Sequence, residues 1–211
     1  LIFDGTGSVI ARPFAKFFNY GEYTGPIPAG DFEVTEKMDG SLGIAYPVQD
    51  GWAIATRGSF DSEQAIMGTA ILQGKYADEL WRLNRGKTYL FEIIYPDNRI
   101  VLNYGDMRDL VLLAVLDTET GRDVRRPEQH QSPWPLAPHY PDAAAIHELE
   151  VDPDKEGYVV RFLENDLRLK VKGAEYLRLH KVLTGVSART IWQALKNGDN
   201  ISLFGIGGTS Q

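Results

Sequence analysis

The chain has 211 residues, of which 43% are hydrophobic, and a formal charge of −7 at pH 7. It is therefore long enough to bury one or two cores, and it is too acidic to coat nucleic acid by bulk attraction. The absence of cysteine excludes disulfides, thiolate metal sites and a cysteine nucleophile.

Hydrophobic patterning gives no sign of a membrane or secreted protein. No apolar run in the sequence approaches the roughly 20 residues of a membrane helix, and the start lacks a basic region followed by an apolar stretch. A cytoplasmic location is the expectation.

Short segments rich in β-branched and aromatic residues predict the strands. In chain order they are 32–35, 42–48, 52–56, 89–95, 110–116, 158–163 and 167–171. One clear helix is predicted over 61–80, with Asp61 as its N-cap and Gln64 completing a capping box. Turns separate most of the strands, which predicts an α+β fold with largely antiparallel sheets flanked by helices rather than a doubly wound parallel sheet.

The second half of the chain contains an irregular segment and two further helices. Repeated prolines over 125–142 predict a loop or an irregular crossing. Helices are predicted over 174–183 and over 187–195, the latter with Ser187 as its cap. We expect one domain over 1–185, followed by a helical segment and a frayed tail over 186–211.

The sharpest local feature is Lys37, which lies between a predicted strand and a turn formed by Asp39 and Gly40. Short patterns of this kind often occur by chance, so a solvated lysine at a strand end is one interpretation. The other is a nucleophilic lysine. Such a lysine attacks only when deprotonated, so it needs a pKa lowered by burial or by neighbouring cations.

A source of cations lies near the end of the predicted strands. Alternation over 167–172 places Arg168, Lys170 and Lys172 on one strand face. A solvated basic face is the ordinary explanation. Three like charges in a row nevertheless favour a compensating anion, and a phosphate would serve.

Two glutamates are candidate ligands for a metal ion. Glu92 lies inside an apolar strand, where a carboxylate needs a partner; a structural salt bridge is the alternative. Glu156 begins another strand after a turn, where a surface acid is the alternative. Since the chain lacks cysteine and has four scattered histidines, these carboxylates are the natural ligands for Mg²⁺, which prefers oxygen.

Two arginines complete the set of candidates. Arg57 ends a predicted strand just before the long helix, and Arg12 precedes an aromatic segment that contains Lys16. The planar guanidinium group suits recognition of phosphate or ribose. The neighbouring phenylalanines are expected in the core.

Taken in order, these segments resemble the motif series of the covalent nucleotidyltransferase superfamily, which includes RNA ligases, DNA ligases and mRNA capping enzymes. Lys37-x-Asp39-Gly40 resembles motif I, Arg57-Gly58 motif Ia, Phe91-Glu92 motif III, Glu156-Gly157 motif IV and Lys170-x-Lys172 motif V. Further stretches within 12–19, 58–65 and 96–102 are similar to the phage RNA ligase 1 type, which repairs broken tRNA.

This resemblance implies a nucleotidyltransferase domain with an ATP-grasp-like adenylylation fold over 1–185. In the family the motif I lysine carries AMP, which implies that Lys37 is the nucleophile. The motif V lysines hold the α-phosphate, so Lys170 and Lys172 are implied as catalytic residues. The remaining implied roles are nucleotide contacts by Arg12 and Arg57, and ribose or metal contacts by Glu92 and Glu156.

The resemblance also implies cofactors and partners. They are ATP, Mg²⁺ with Mn²⁺ as a substitute, and RNA with 5′-phosphate and 3′-hydroxyl ends. Damaged tRNA is a candidate substrate, and an end-healing kinase/phosphatase is a candidate partner. A DNA ligase, a capping-type enzyme and a non-catalytic RNA-binding module are the alternatives. Few residues follow Lys172, so we expect 186–211 to be the start of a truncated C-terminal domain.

Overall fold

The computed structural model describes residues 1–124, 132–141, 146, 149–174 and 176–179. Its strands are β1 (Ile2–Phe3), β2 (Val9–Ala11), β3 (Phe18–Asn19), β4 (Phe32–Glu36), β5 (Ser41–Val48), β6 (Gly51–Ala55), β7 (Lys87–Ile94), β8 (Asp109–Asp117), β9 (Gly157–Phe162) and β10 (Arg168–Lys172). The long helix is α1 (Glu63–Lys75), and short 3-10 helices span Tyr20–Glu22, Ala77–Arg82 and Pro96–Asn98. All the predicted strands are confirmed, with ends that differ by one or two residues.

Two four-stranded sheets form the body of the protein. Sheet I has the order β6-β5-β7-β8, and all its neighbouring strands are antiparallel. Sheet II has the order β3-β10-β9-β4, in which only the β3–β10 pair is parallel. The predicted α+β class with largely antiparallel sheets is therefore confirmed. Since β4 belongs to sheet II and β5 to sheet I, residues 37–40 form the crossover between the sheets.

Helix α1 packs on one face of sheet I. Ile71 and Leu72 are buried there in a cluster with Ile54 and Ile93. Gly68 permits the close approach, because a Cβ atom at this position would lie 3.0 Å from Ile93 Cδ1. The opposite face of sheet I is covered by β1 and β2 and by the segment that follows them.

The start of the helix differs from the prediction. Ser62, not Asp61, is the N-cap, and its Oγ accepts a hydrogen bond from the Ala65 N–H. Asp61 instead accepts a hydrogen bond from the Ser59 hydroxyl at 2.6 Å, so its carboxylate is engaged in the preceding loop. The α-helix also ends at Lys75, because the chain tightens into the 3-10 turn that begins at Ala77.

The C-terminal predictions are covered only in part. Ala174 and residues 176–179 are helical, which agrees with the start of the helix predicted over 174–183. The rest of that helix, the helix over 187–195 and the tail lie outside the described residues. Within the proline-rich segment, residues 132–141 form single bridges rather than a strand. No helix among the described residues has both the length and the apolar character needed to cross a membrane.

Candidate active site

A cavity of about 410 Å³ lies between the two sheets. Sheet II contributes the inner faces of β4, β9 and β10, and sheet I contributes Leu42, Glu92 and Leu113. The segment 13–17, the crossover and Arg57 complete the wall. The outer face of sheet II is apolar and holds a separate core around Val160, Phe162 and Leu169.

Lys37 lies where the chain leaves sheet II. Its N–H still donates to the Gly157 carbonyl at 2.9 Å, which extends the β4–β9 pairing by one residue. Its Nζ lies 2.7 Å from Glu156 Oε2, and the other oxygen of Glu156 lies 2.9 Å from Lys172 Nζ. The carboxylate of Glu156 is 3% exposed, whereas each lysine side chain is about one-fifth exposed. One buried carboxylate therefore bridges the lysines of motifs I and V.

Gly157 allows this arrangement. Its φ is +148°, and a Cβ atom at this position would lie 2.0 Å from the Val171 carbonyl oxygen. No other residue would permit β9 and β10 to pair this closely next to Glu156, whose carboxylate contacts Lys37 and Lys172. The close approach of β10 therefore requires glycine after Glu156.

Asp39 fixes the crossover between the sheets through buried hydrogen bonds. It is 2% exposed, and its Oδ2 accepts hydrogen bonds from the N–H groups of Val101 and Leu102 at 2.9 and 2.7 Å. Its Oδ1 accepts one from the Tyr176 hydroxyl at 2.9 Å. Tyr176 also lies 5.2 Å, measured to its ring centroid, from Lys172 Nζ. Sequence reasoning missed Tyr176, because a tyrosine in a helix is an ordinary core residue.

Tyr176→Phe is expected to lower the free energy of unfolding by about 1–3 kcal/mol, because it leaves one buried carboxylate oxygen without this donor. Urea denaturation would measure the change. Tyr20→Phe, at a half-buried tyrosine, is the matched control and should change stability less. Equal losses in the two variants would contradict the anchoring role.

Glu92 is buried, and of the acids that line the cavity, Glu33, Glu36 and Glu92, it is the least exposed. It lies in β7 opposite Leu42. Burial is the largest cause of a pKa raised to about 8; Lys37 and a hydrogen bond from Gly40 oppose the rise, and Glu156 and Asp39 add to it. The environment thus disfavours the charged form of Glu92 unless a cation approaches.

A divalent cation beside Glu92 would need further oxygen ligands from a bound nucleotide or from water. Among the described residues, no group of three or more acidic, histidine or cysteine side chains forms a metal site. Mg²⁺ commonly uses one or two carboxylates and completes its shell with phosphate oxygens and water. Glu92 satisfies the requirement better than Glu156, because both oxygens of Glu156 already contact lysines.

The basic face predicted on β10 is confirmed. Leu169 is fully buried on the outer face, whereas Lys170 and Arg168 line the cavity. Burial, and after it the neighbouring charges of Lys172 and Lys37, lowers the pKa of Lys170. Arg168 is neutralised by Asp123 at 2.6 Å. Since Lys37 and Lys172 share the carboxylate of Glu156, Lys170 contributes most of the positive charge that an anion in the cavity would meet.

The structure separates the two predicted arginine ligands. Arg57 is exposed and lines the cavity. Arg12 does not belong to the described lining, because its Nε donates to the Thr118 carbonyl at 2.7 Å and its Nη2 to the Glu119 carbonyl at 2.7 Å. The role of Arg12 as a nucleotide ligand stays a prediction. Lys16, in the same segment, does line the cavity.

An ion-pair network that sequence reasoning missed closes one end of the cavity. Arg161 is 9% exposed and lies 3.1 Å from Glu33 and 2.6 Å from Asp166. Asp123, beyond the end of β8, contacts both Arg161 and Arg168. The network joins sheet II to the segment that follows sheet I. Glu33 and Asp123 are distant in sequence from Arg161 and Arg168, so no local pattern reveals the whole network.

Comparison with known proteins gives the family. The family model for RNA ligase matches residues 1–132, which is more than half of the chain. The chain belongs to the RNA ligase family. Motifs I, Ia and III lie inside the matched region.

Two curated relatives extend the match. An RNA ligase of Rhodothermus phage RM378 is 29% identical over 160 residues, which cover 56% of this chain and 36% of the relative. A protein of Autographa californica nuclear polyhedrosis virus, whose name pairs a polynucleotide kinase with an RNA ligase, is 28% identical over 203 residues, covering 83% of this chain and 29% of the relative. The chain spans about a third of the length of these relatives.

Solved structures confirm the fold. A mutant of the Naegleria gruberi RNA ligase, solved with ATP and Mn, superposes with a TM-score of 0.55 at 22% identity. The match covers 71% of this chain and 51% of that ligase. The two sheets and the cavity between them therefore form a nucleotidyltransferase fold of the RNA ligase kind.

Proposed function

We propose that the chain is the nucleotidyltransferase part of an ATP-dependent RNA ligase, which joins 5′-phosphate and 3′-hydroxyl RNA ends through AMP carried on Lys37. The observation that carries this proposal is the contact of Lys37 with buried Glu156, which also holds Lys172, at the junction of the two sheets. This geometry supplies a nucleophile and cations at one point of a cavity large enough for a nucleotide.

The first step joins Lys37 to AMP. An ammonium group is not a nucleophile, so the Nζ proton must leave before attack. The Glu156 carboxylate, 2.7 Å away, is the acceptor within reach. The Nζ lone pair then forms a bond to the α-phosphorus of ATP, and the bond to pyrophosphate breaks.

The next two steps transfer AMP and seal the RNA. An oxygen of the RNA 5′-phosphate attacks the phosphorus of the lysine adduct and releases Lys37. The 3′-hydroxyl then attacks the RNA phosphorus and expels AMP. Lys170 and Lys172 neutralise charge on the phosphoryl oxygens, since catalysis of phosphoryl transfer consists mostly of positioning and electrostatics.

The remaining candidates take supporting roles. Arg57 at the cavity wall contacts the nucleotide, and Met38, Leu42 and Val159 offer apolar surface for a base. Glu92 would hold a divalent cation, which when bound would neutralise charge on the phosphates, and Glu156 would be a second ligand once one of its oxygens is released from its lysine. The presence of ATP and Mn in the Naegleria ligase structure supports this pair of cofactors.

RNA ends prepared by a separate activity fit the proposed reaction. The baculovirus relative pairs a kinase with a ligase in its name, which supports an end-healing kinase as a partner. Broken tRNA is the substrate to test first among folded RNAs.

Labelling tests the proposal directly. The purified chain is incubated with Mg²⁺ and either α-labelled ATP or α-labelled GTP and then analysed by denaturing electrophoresis. A covalent label from ATP alone is expected, followed by sealing of 5′-phosphorylated RNA. A label from GTP would indicate a capping-type enzyme, preference for DNA ends a DNA ligase, and no label a binding module.

Lys170→Ala is expected to slow formation of the AMP adduct by about 100-fold, because one preorganised charge at the phosphoryl group is lost. The variant should unfold at the same temperature as the wild type or slightly higher, since Lys172 and Lys37 repel Lys170 in the empty cavity. Rapid-quench labelling and a thermal melt measure the two effects.

Lys87→Ala is the matched control, because Lys87 is also half-buried and pairs with Asp117 at 2.8 Å on the far edge of sheet I. It should label normally. If Lys170→Ala lost activity in proportion to a fall in its melting temperature, the electrostatic role of Lys170 would be contradicted.

A further inference from the structure

An aromatic pair formed by exposed Phe60 and partly buried Tyr46 follows the cavity wall at Arg57 and has no part in the reaction described above. Phe60 is 59% exposed, and its ring meets that of Tyr46 edge-on, with centroids 5.5 Å apart and planes at 70°. We call Phe60 and Tyr46 the aromatic shelf. Single exposed apolar side chains are common on protein surfaces, but an aromatic ring held close to the wall of a cavity is placed to contact a ligand that extends from it.

The shelf continues the cavity wall. Leu42 and Tyr46 lie on the same face of β5, and both pack in the cluster that covers this face of sheet I. Leu42 lines the cavity, and Tyr46 lies about 13 Å farther along the strand. Arg57, which also lines the cavity, precedes Phe60 by three residues. Since β1 and β2 cover this face of the sheet around Ile44, a polymer that leaves the cavity past Arg57, rather than over β5, would meet the shelf.

The loop that presents Phe60 is fixed by hydrogen bonds. The Thr56 N–H donates to the Ser59 carbonyl at 2.9 Å, and the Thr56 and Ser62 hydroxyls lie 3.1 Å apart. The Ser59 hydroxyl donates to Asp61. Since the loop is already ordered, a ligand that binds Phe60 loses little of its binding energy to ordering.

We propose that an unpaired RNA base within a few nucleotides of a reacting end stacks on Phe60. The proposal rests on the RNA ligase function proposed above. It names the part of the substrate that the shelf recognises: a nucleobase face, of any sequence, rather than a phosphate. Bases of single-stranded RNA commonly stack on exposed aromatic rings in this way.

The local charge favours a base over a phosphate. Asp61 and Glu63 lie one and three residues after Phe60, and their negative charges disfavour a phosphate at the shelf. Arg57 supplies a positive charge on the cavity side. The contribution of Phe60 to RNA binding should therefore change little with salt concentration, unlike a phosphate contact.

The first test compares Phe60→Ala with Trp81→Ala, in each case measuring AMP labelling and the sealing of single-stranded RNA. We expect normal labelling by both variants, and about a tenfold rise in the KM for RNA for Phe60→Ala alone. Trp81 is the matched control, because it is 77% exposed but lies in the 3-10 helix Ala77–Arg82. Phe60→Tyr should retain sealing, and Phe60→Leu should resemble the alanine variant.

The second test identifies the base. Single abasic positions are placed in turn near the end of the 5′-phosphate strand and of the 3′-hydroxyl strand. At the stacked position the abasic change should raise the KM of the wild type and should have little further effect in Phe60→Ala. If the effects of Phe60→Ala and of an abasic position are coupled in only one of the two strands, that strand carries the end that the shelf binds.

Specific outcomes overturn the proposal. They are normal RNA sealing by Phe60→Ala, wild-type sealing by Phe60→Leu, and absence of coupling to every abasic position. An unchanged KM for RNA together with a loss of dimers or of a bound protein in Phe60→Ala would assign the shelf to a protein contact instead. Failure of the RNA ligase function is distinguished by the wild type, which would then form no AMP adduct.

Discussion

Replacing Lys37 with alanine is expected to abolish covalent labelling by ATP, because alanine has no nitrogen that could bond to the α-phosphorus. The loss should be complete rather than graded. Labelled ATP, Mg²⁺ and denaturing electrophoresis measure it, and Lys75→Ala is the matched control. Lys75 is an exposed lysine paired with Asp109, so its removal should leave the label unchanged.

The Lys37→Ala variant should be about as stable as the wild type. Glu156 keeps its second ion pair, with Lys172 at 2.9 Å, so the buried carboxylate retains a counter-ion. A thermal melt close to that of the wild type is therefore expected. A label of normal intensity in Lys37→Ala would show that another residue carries AMP.

Lys37→Arg separates charge from nucleophilicity. The guanidinium keeps a positive charge beside Glu156, but it does not lose a proton at any pH tolerated by the protein. We expect this variant to melt like the wild type and to form no AMP adduct. Labelling by the arginine variant would contradict the assignment of Lys37 as the nucleophile.

Some features of the site follow from sequence because they depend on local geometry. Side chains of a strand alternate between its faces, so the pattern over 167–172 was enough to place Lys170 in the cavity and Leu169 in the core. The same regularity predicted Glu92 within an apolar strand. Both predictions required only the identity of the strand, and the structure confirms both positions.

Other features depend on contacts between distant segments. The guanidinium of Arg12, a predicted nucleotide ligand, binds carbonyl groups of Thr118 and Glu119, which are more than 100 residues away. Tyr176 reaches Asp39 across 137 residues. No periodicity in a sequence reports where such segments meet.

The N-cap shows a third kind of difference. Asp61 and Ser62 are adjacent, and both residue types favour the N-cap position. The loop decides between them: the Ser59 hydroxyl binds Asp61 and the Thr56 hydroxyl contacts Ser62. Local propensity alone therefore could not select the correct residue.

Glu92→Gln is expected to make the empty protein more stable than the wild type at pH 8, and to leave stability nearly unchanged at pH 5. Burial raises the pKa of Glu92 from 4.5 to about 8, so the folded protein holds this proton more tightly than the unfolded chain. The stability that the neutral carboxyl contributes is complete below about pH 4.5. It is lost progressively as the pH rises towards 8.

The difference should reach on the order of 4 kcal/mol at pH 8, because each unit of pKa corresponds to about 1.4 kcal/mol. Glutamine is neutral at both pH values and similar in size, so it avoids the cost of charging a buried carboxyl. Urea denaturation at pH 5 and pH 8 in the presence of a chelator measures the change. If the free energies of unfolding of the two proteins differed by the same amount at pH 5 and pH 8, the raised pKa of Glu92 would be contradicted.

Asp117→Asn provides a control of opposite sign. A hydrogen bond from Lys87, followed by hydrogen bonds from Thr120, lowers the pKa of Asp117. Its contribution to stability is therefore present above its ordinary pKa of 3.8 and is lost only in stronger acid. The asparagine variant should be less stable than the wild type by the same amount at pH 5 and pH 8.

Addition of Mg²⁺ and a non-hydrolysable ATP analogue should reverse the order of stability of the wild type and Glu92→Gln at pH 8. If Glu92 holds the cation, the wild type gains stability from a charge that offsets its buried carboxylate, whereas the neutral glutamine offers a weaker ligand. The wild type should then approach or exceed the stability of Glu92→Gln, and the glutamine variant should label slowly. An equal gain in both proteins would assign the cation to other ligands, with Glu92 left as a buried acid near the ribose.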